Sequence, residues 1–316
     1  MQLYFAPLQG ATNREYRQIH ARCFGCVDKY YTPFVSPTKT DHLTAKEREE
    51  LLPVPGTETV PQALCSDPKA FLAVVEFARA AGFSEVNLNL GCPSGTVTAK
   101  GKGAGMLRSL LTLEFFLDEI YSGTTLPISI KTRLGWESPA EFEPLLFLLC
   151  RYPVYELTIH ARTRMQAYEG QPDRAAVLSC LDSIPFPAVY NGDLFSVSNV
   201  RSSGLETAPF SALMIGRGLL SNPALARTLK GGPALERNEL WAFREALWEA
   251  ARSRLSVSAC LGRMRELDKY MACSFEEPKK PLKKLRKATS LERYQEAVEE
   301  LFSHPLREDR GFLPGL

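Results

Sequence analysis

Two short β-branched runs carry charged groups at alternate positions: Lys131 and Arg133 in ISIKTR, and His160 and Arg162 in LTIHAR. Side chains alternate across a strand, so Ser129, Lys131 and Arg133 share one face while Ile128 and Ile130 share the other. Likewise Thr158, His160 and Arg162 oppose Leu157 and Ile159, and in EVNLNL the residues Asn87 and Asn89 oppose Val86 and Leu88, with Cys92 just beyond. Taken singly, an inward histidine or asparagine is usually a satisfied structural group. Taken together, cations that are costly to desolvate imply a shared polar ligand.

Two further runs end in glycine. AVYNGD closes on Asn191, Gly192 and Asp193, and ALMIGRG on Gly216, Arg217 and Gly218. Glycines let backbone N–H groups approach an anion, and Arg217 can add charge, so these ends suit the phosphate of a cofactor.

The elements that must position these groups read as alternating strands and helices up to about residue 230, the pattern of βαβ units and a parallel sheet. The strand runs are LYFAP, KYYTPF, TVPQAL, EVNLNL, ISIKTR, ELTIHA, AVYNGD and ALMIGR. Eight strands in roughly 220 residues predict a (β/α)8 TIM barrel, whose active site lies at the C-terminal ends of its strands. Ser66 or Asp67 with Pro68 predicts a helix start that buries Phe71, Val74, Val75 and Ala78, and Ser138 with Pro139 opens another. After Asn222 and Pro223 the strand signal stops, and ELWAFREALWEAARSRL and LERYQEAVEELF show helical periodicity. The expected α/β organisation is a catalytic barrel over residues 1–231 followed by a small all-helical domain over 232–316.

Composition narrows the function classes. The hydrophobic fraction of 45% suits a globular enzyme, and no apolar stretch approaches a membrane span. MQLYFAPLQG lacks the basic and apolar segments of a signal peptide, so the cytoplasm is the expected compartment. Eight scattered cysteines argue against a disulfide framework, and the single C-x-x-C of Cys23 and Cys26 has no second pair to complete a zinc site. No metal is expected. The net charge of +2 does not by itself imply a nucleic-acid partner, so that argument rests on local distribution. Lys279, Lys280, Lys283, Lys284, Arg286 and Lys287 form the densest basic patch in the chain.

The segment NLNLGCPSGTVTAKGKGAGML resembles the signature of the tRNA-dihydrouridine synthases, a strand ending in N-x-G-C-P followed by a later G-A-x-x-L. APLQG, VPQAL, IKTRLG, IHARTRMQAYEG, NGD and MIGRGLLSNP agree in order, so the resemblance covers about residues 3–224. It implies FMN held by Ala6, Pro7, Leu8, Gln62, Lys131, His160, Asn191, Gly192, Asp193, Gly216 and Arg217, with Lys131 beside the pyrimidine edge of the flavin. It also implies reduction of the uracil 5,6 double bond in tRNA: hydride from FMN, itself reduced by NADPH, goes to carbon 6, and a proton from Cys92 goes to carbon 5. A thiol is mostly protonated near neutral pH and suits that step. Asn89 is then expected to touch the target base, and Arg133, Arg162 and Arg164 to guide nearby phosphates, while the patch at 279–287 takes a more distant part of the tRNA. A monomer is expected. The alternatives are a flavin barrel acting on a free pyrimidine, like dihydroorotate dehydrogenase, and a non-catalytic RNA-binding protein.

Overall fold

A computed structural model of the chain describes residues 1–37 and 43–316. Its strands are β1 (Gln2–Phe5), β2 (Lys29–Tyr31), β3 (Thr59–Val60), β4 (Gln62–Ala63), β5 (Val86–Leu90), β6 (Ile128–Arg133), β7 (Leu157–His160), β8 (Ala188–Asn191) and β9 (Ala212–Ile215). They form one sheet in the order β3-β2-β1-β9-β8-β7-β6-β5-β4, with parallel pairing throughout. The two ends of that order are halves of one run, TVPQA, interrupted only at Pro61. Proline has no N–H to give to a ladder. Its carbonyl still accepts from the Asn87 amide at 2.8 Å, and Val35 pairs with Ala63, so the sheet closes on itself as a (β/α)8 barrel.

The register carries the alternation to the barrel interior. Asn89 is level with Lys131, and Arg133 with His160. Ile128, Ile130, Leu157 and Ile159 are buried on the opposite face of their strands. Tyr4, Ala6, Tyr31, Val60, Val189, Ala212 and Met214 pack as a buried apolar cluster. Outside, the helix Pro68–Ala80 starts where the sequence predicts: Asp67 is the cap, accepting from the Lys69 amide at 3.0 Å, and Phe71, Val74, Val75 and Ala78 are buried.

The chain divides into two compact units. The first is Met1–Pro7, Lys29–Gly192 and Thr207–Met214, which holds every strand except the last residue of β9. The second is Leu8–Asp28, Asp193–Glu206 and Ile215–Leu316. Within it lie the helices Arg237–Arg252, Val257–Met271, Lys279–Lys287 and Leu291–Ser303. Arg244, Asp268 and Tyr294 join three of them under the surface: Arg244 donates to Asp268 at 3.0 Å and to the Tyr294 hydroxyl at 2.9 Å, and that hydroxyl donates to Asp268. The helix Arg14–Cys23 belongs to the same unit, where Tyr16, His20 and Phe24 surround the Phe243 ring at 5.5, 6.1 and 5.1 Å. Among the described residues no helix is long and apolar enough to cross a membrane.

Candidate active site

In the first unit, the inward polar side chains of β4, β5 and β6 are bonded in series. Asn87 donates to the Ser129 hydroxyl, Gln62 donates to Asn87, and Asn89 donates to Gln62, each at 2.8 Å. The series ends on the loop after β5, where the Asn89 carbonyl accepts from the backbone N–H groups of Gly91 and Cys92 at 3.0 and 2.9 Å. Such a run satisfies every amide in a setting where an unpaired one is costly, and its members polarise one another. The consequence is a fixed Cys92. Asn89, expected at the target base, spends its carbonyl on holding that loop, and Gln62 is fully buried beneath it.

The loop is also tied from its far end. Ala104 donates to the Cys92 carbonyl at 3.1 Å, and a Cβ on Gly103 would lie 3.0 Å from both the Cβ and the carbonyl oxygen of Cys92. Gly103 has φ +57°, so glycine is required there twice over, by conformation and by space. This accounts physically for the G-A pair of the motif. Cys92 itself is partly exposed and free.

Arg133 and Arg162 are buried, and both bond to loop carbonyls. Arg133 is 2% exposed and donates to the carbonyls of Gly91, Thr163 and Ala167 at 2.8, 2.8 and 2.7 Å. Arg162 is 1% exposed and donates to the carbonyls of Glu169 and Gly170 at 3.1 and 2.6 Å. Loop carbonyls that lack a ladder partner need donors, and these two guanidinium groups supply them. Arg133 and Arg162 therefore clamp the loops after β5 and β7. Arg164, by contrast, is only partly buried.

Lys131 donates to the Asn191 side-chain carbonyl at 2.9 Å, and the Asn191 amide donates to the Met214 carbonyl at 2.7 Å, so β6, β8 and β9 are tied at one level. No carboxylate pairs with Lys131 among the described residues. Burial, and then the Arg133 charge, push its ammonium down to about 7. His160 lies two pairs along the β6–β7 ladder from Lys131, level with Arg133, and its ring is 6.2 Å from that of Tyr168. Gly192 has φ +143° and would bring a Cβ within 3.3 Å of Pro172. Ala6 is part of the apolar cluster, and Pro7 follows it at the end of the first segment of this unit.

The remaining expected cofactor residues belong to the second unit. Arg217 donates to Asp193 at 2.8 Å, and its guanidinium lies 5.0 Å from the Phe195 ring and 4.7 Å from that of Phe312. Gly216 precedes the short helix Arg217–Ser221. The Leu8 amide donates to the Thr12 hydroxyl at 2.9 Å, and the Leu8 carbonyl accepts from the Ala11 and Thr12 amides, which closes a turn. In the same unit the basic patch is a helix, Lys279–Lys287. Pro281, Leu282 and Leu285 are buried, whereas Lys279, Lys280, Lys283, Lys284, Arg286 and Lys287 are exposed. Lys284 is tied to Glu300 at 2.5 Å.

Sequence reasoning missed Gly103, Arg108, Trp136 and Tyr168. The available signal was position, because each lies within or directly after a segment already singled out, GKGAGML, IKTRLG or IHARTRMQAYEG.

A family model described as dihydrouridine synthase (Dus) matches residues 4–308. A tRNA-dihydrouridine(16) synthase of Aquipseudomonas alcaligenes is 26% identical over 94% of this chain and 99% of its own length. A protein of the same name from Neisseria meningitidis is 30% identical over 73% of each chain. The probable tRNA-dihydrouridine synthase 1 of Synechocystis is 30% identical over 70% of this chain, a match that spans 62% of that protein. Among solved structures, an old yellow enzyme homologue from Zymomonas mobilis superposes with a TM-score of 0.53 at 12% identity, covering 75% of this chain and 90% of the other, a likeness of fold.

Proposed function

The chain belongs to the dihydrouridine synthase family, and from that premise we propose that it is a flavin-dependent tRNA-dihydrouridine synthase, with FMN as the flavin and NADPH as the reductant. A bound flavin supplies the hydride for carbon 6 of the uracil ring. Cys92 then donates the proton to carbon 5, and the series from Ser129 to Asn89 holds its loop in place for that donation.

The observation that carries the reading is Lys131. A cation pressed between burial and Arg133, with an asparagine as its partner and no carboxylate, fits an electron-rich ligand edge such as the pyrimidine portion of a flavin. There Lys131 favours the reduced, anionic form. Asn191 orients the ammonium, and His160, level with Asn191, would add a second donor. For the phosphate, Gly216 and Arg217 remain the proposed ligands, with Asp193 fixing the guanidinium.

The macromolecular substrate follows from the relatives' names and from the exposed face of Lys279–Lys287, which supports a polyanion rather than a free pyrimidine. Residues 232–316 would act as the RNA-holding region of a monomeric enzyme working in the cytoplasm. The test is direct. Dihydrouridine is mapped in tRNA from cells with and without the gene, and a position that loses the modification on deletion and regains it with the wild-type chain supports the proposal. An unchanged map, or restoration by the Cys92→Ala chain, removes it.

A further inference from the structure

Three successive loops on the Cys92 side of the first unit bring two guanidinium groups over one indole. Arg108 ends the turn Gly103–Arg108 that follows the Cys92 loop, Trp136 follows β6, and Arg164 follows β7. The Arg108 guanidinium lies 3.9 Å from the centre of the Trp136 ring and that of Arg164 4.6 Å from it. An indole attracts a cation through its quadrupole but does not neutralise it. Arg108 is exposed and Arg164 half-buried, and two like charges beside one ring favour an anion between them.

The protein does not supply one. Among the described residues Arg108 has no carboxylate partner and no hydrogen-bond acceptor. Arg164 reaches only the Thr98 hydroxyl and the Met165 sulfur, both at 3.4 Å, and its buried Nε has no partner. The nearby Glu141 carboxylate is occupied, accepting from the backbone amides of Trp136, Glu137 and Ser138 at 2.7, 3.0 and 2.9 Å. Arg164 also ties this pair to the loop that carries Cys92, through Thr98. Met165 and Tyr168, 58% and 54% exposed, follow Arg164 in the same loop and offer apolar surface on which a base can stack.

We propose that Arg108 and Arg164, held over Trp136, form a clamp for the sugar-phosphate backbone beside the uridine that is presented to Cys92. The inference rests on the tRNA-reducing reading and names how that substrate is seated. Contact with Trp136 holds each guanidinium beside the indole, which positions its donors for phosphate oxygens. The phosphates of NADPH share that chemistry, and the experiment separates the two sources.

Steady-state constants for tRNA and for NADPH are measured at several salt concentrations with the wild type, Arg108→Gln, Arg108→Lys and Trp136→Leu. Arg108→Gln is expected to raise KM for tRNA on the order of tenfold and to flatten the log-log salt slope of tRNA binding by roughly 0.7 to 0.9, one lost phosphate contact. Arg108→Lys keeps the charge, so it should retain the salt slope while KM still rises, and Trp136→Leu should raise KM with the slope nearly unchanged. A wild-type KM and slope for Arg108→Gln would overturn the clamp. So would a change confined to the NADPH constant, or an equal loss of NADPH oxidation measured without tRNA. If the wild type itself forms no dihydrouridine in tRNA, the functional reading fails, an outcome distinct from a wild-type enzyme that is active and indifferent to Arg108.

Discussion

Two buried lysines of the same barrel are treated in opposite ways. Lys29, at the start of β2, lies 2.9 Å from Glu85, 3.8 Å from Glu156 and 3.7 Å from Glu58, and its ammonium is 5.3 Å from the centre of the Tyr4 ring. Burial alone pulls its protonation downward, and Glu85 and Glu156 more than reverse that, so the ammonium is held above its ordinary value. The hydroxyls of Tyr4 and Tyr31 both donate to Glu156 at 2.9 Å, which completes the base. Lys131, at the opposite end of the strands, has Asn191 and a neighbouring arginine, and its ammonium is pushed down to about 7. The base is compensated from within. The mouth has no carboxylate among the described residues to compensate its lysine, and that contrast supports the proposed ligand role of Lys131.

The sharpest break between the two ends should come from Cys92. Cys92→Ala removes the proposed proton donor at the mouth but no packing at the base, so turnover of tRNA should fall on the order of 100-fold to 10,000-fold. Flavin content and the urea midpoint should stay at wild-type values. Single-turnover formation of dihydrouridine against an unfolding curve reads both, and a large fall in stability would show the mouth to be structural as well.

At the base the pattern should invert. Lys29→Met leaves Glu85 and Glu156 buried without their cation, and removing one partner of a buried pair typically costs about 3 to 5 kcal/mol. Urea unfolding should report that loss, with flavin affinity little changed. Because the Lys29 ammonium is stabilised by folding, its share of stability is complete below the unfolded value and disappears as pH rises through the folded one. Adding Glu85→Gln to Lys29→Met should recover part of the loss. A base that needed no cation would instead show a single variant as stable as the wild type.

Lys131 carries the opposite sign. Its folded value of about 7 lies below the ordinary 10.5, so between those limits the unfolded chain binds more protons than the folded one. The flavin-free protein should therefore gain stability as pH rises from about 7 toward 10.5, and Lys131→Met should remove that rise. The same variant should weaken flavin binding roughly tenfold to a hundredfold, the range for one charged hydrogen bond, and make the bound flavin harder to reduce. Unaltered reduction potential in the variant would separate Lys131 from the flavin edge.

Much of this contrast was legible as alternation. The period-two pattern of ISIKTR and LTIHAR set the direction of Lys131, Arg133, His160 and Arg162 correctly, because a half-polar strand in a closed sheet has one interior face. What it did not convey was the partner of each group. Arg133 and Arg162 bond carbonyls of loop residues up to 42 positions away in the chain, and irregular loops have no period from which such a return can be read. TVPQAL was legible as one strand, and Pro61 splits its pairing into two short segments because it lacks an N–H. Gly103 was visible inside its motif, yet its reason, the 3.0 Å approach to Cys92, exists only once the loop has closed.

The smallest effects should come from lysines of a third kind, those that face solvent. On Lys279–Lys287 the buried Pro281, Leu282 and Leu285 turn the charges outward. Replacing Lys279, Lys280, Lys283 and Lys284 together with Ala should raise KM for tRNA a few-fold and flatten the salt slope by roughly 0.7 to 0.9 for each phosphate contact that is real. NADPH oxidation measured without tRNA should be unaffected, since none of these residues is among the proposed flavin ligands. The four are not equivalent. Lys284 is already paired with Glu300, and Lys280 also acts on that carboxylate, so an RNA phosphate must compete with a charge the protein supplies. Lys279→Ala and Lys283→Ala should therefore each flatten the slope, while Lys284→Ala alone should leave it nearly unchanged. If Glu300→Gln then makes Lys284→Ala costly to tRNA binding, the pair is a brake on that contact. A slope indifferent to all four substitutions would mean that the helix is merely solvated, and that the tRNA is held by the barrel mouth.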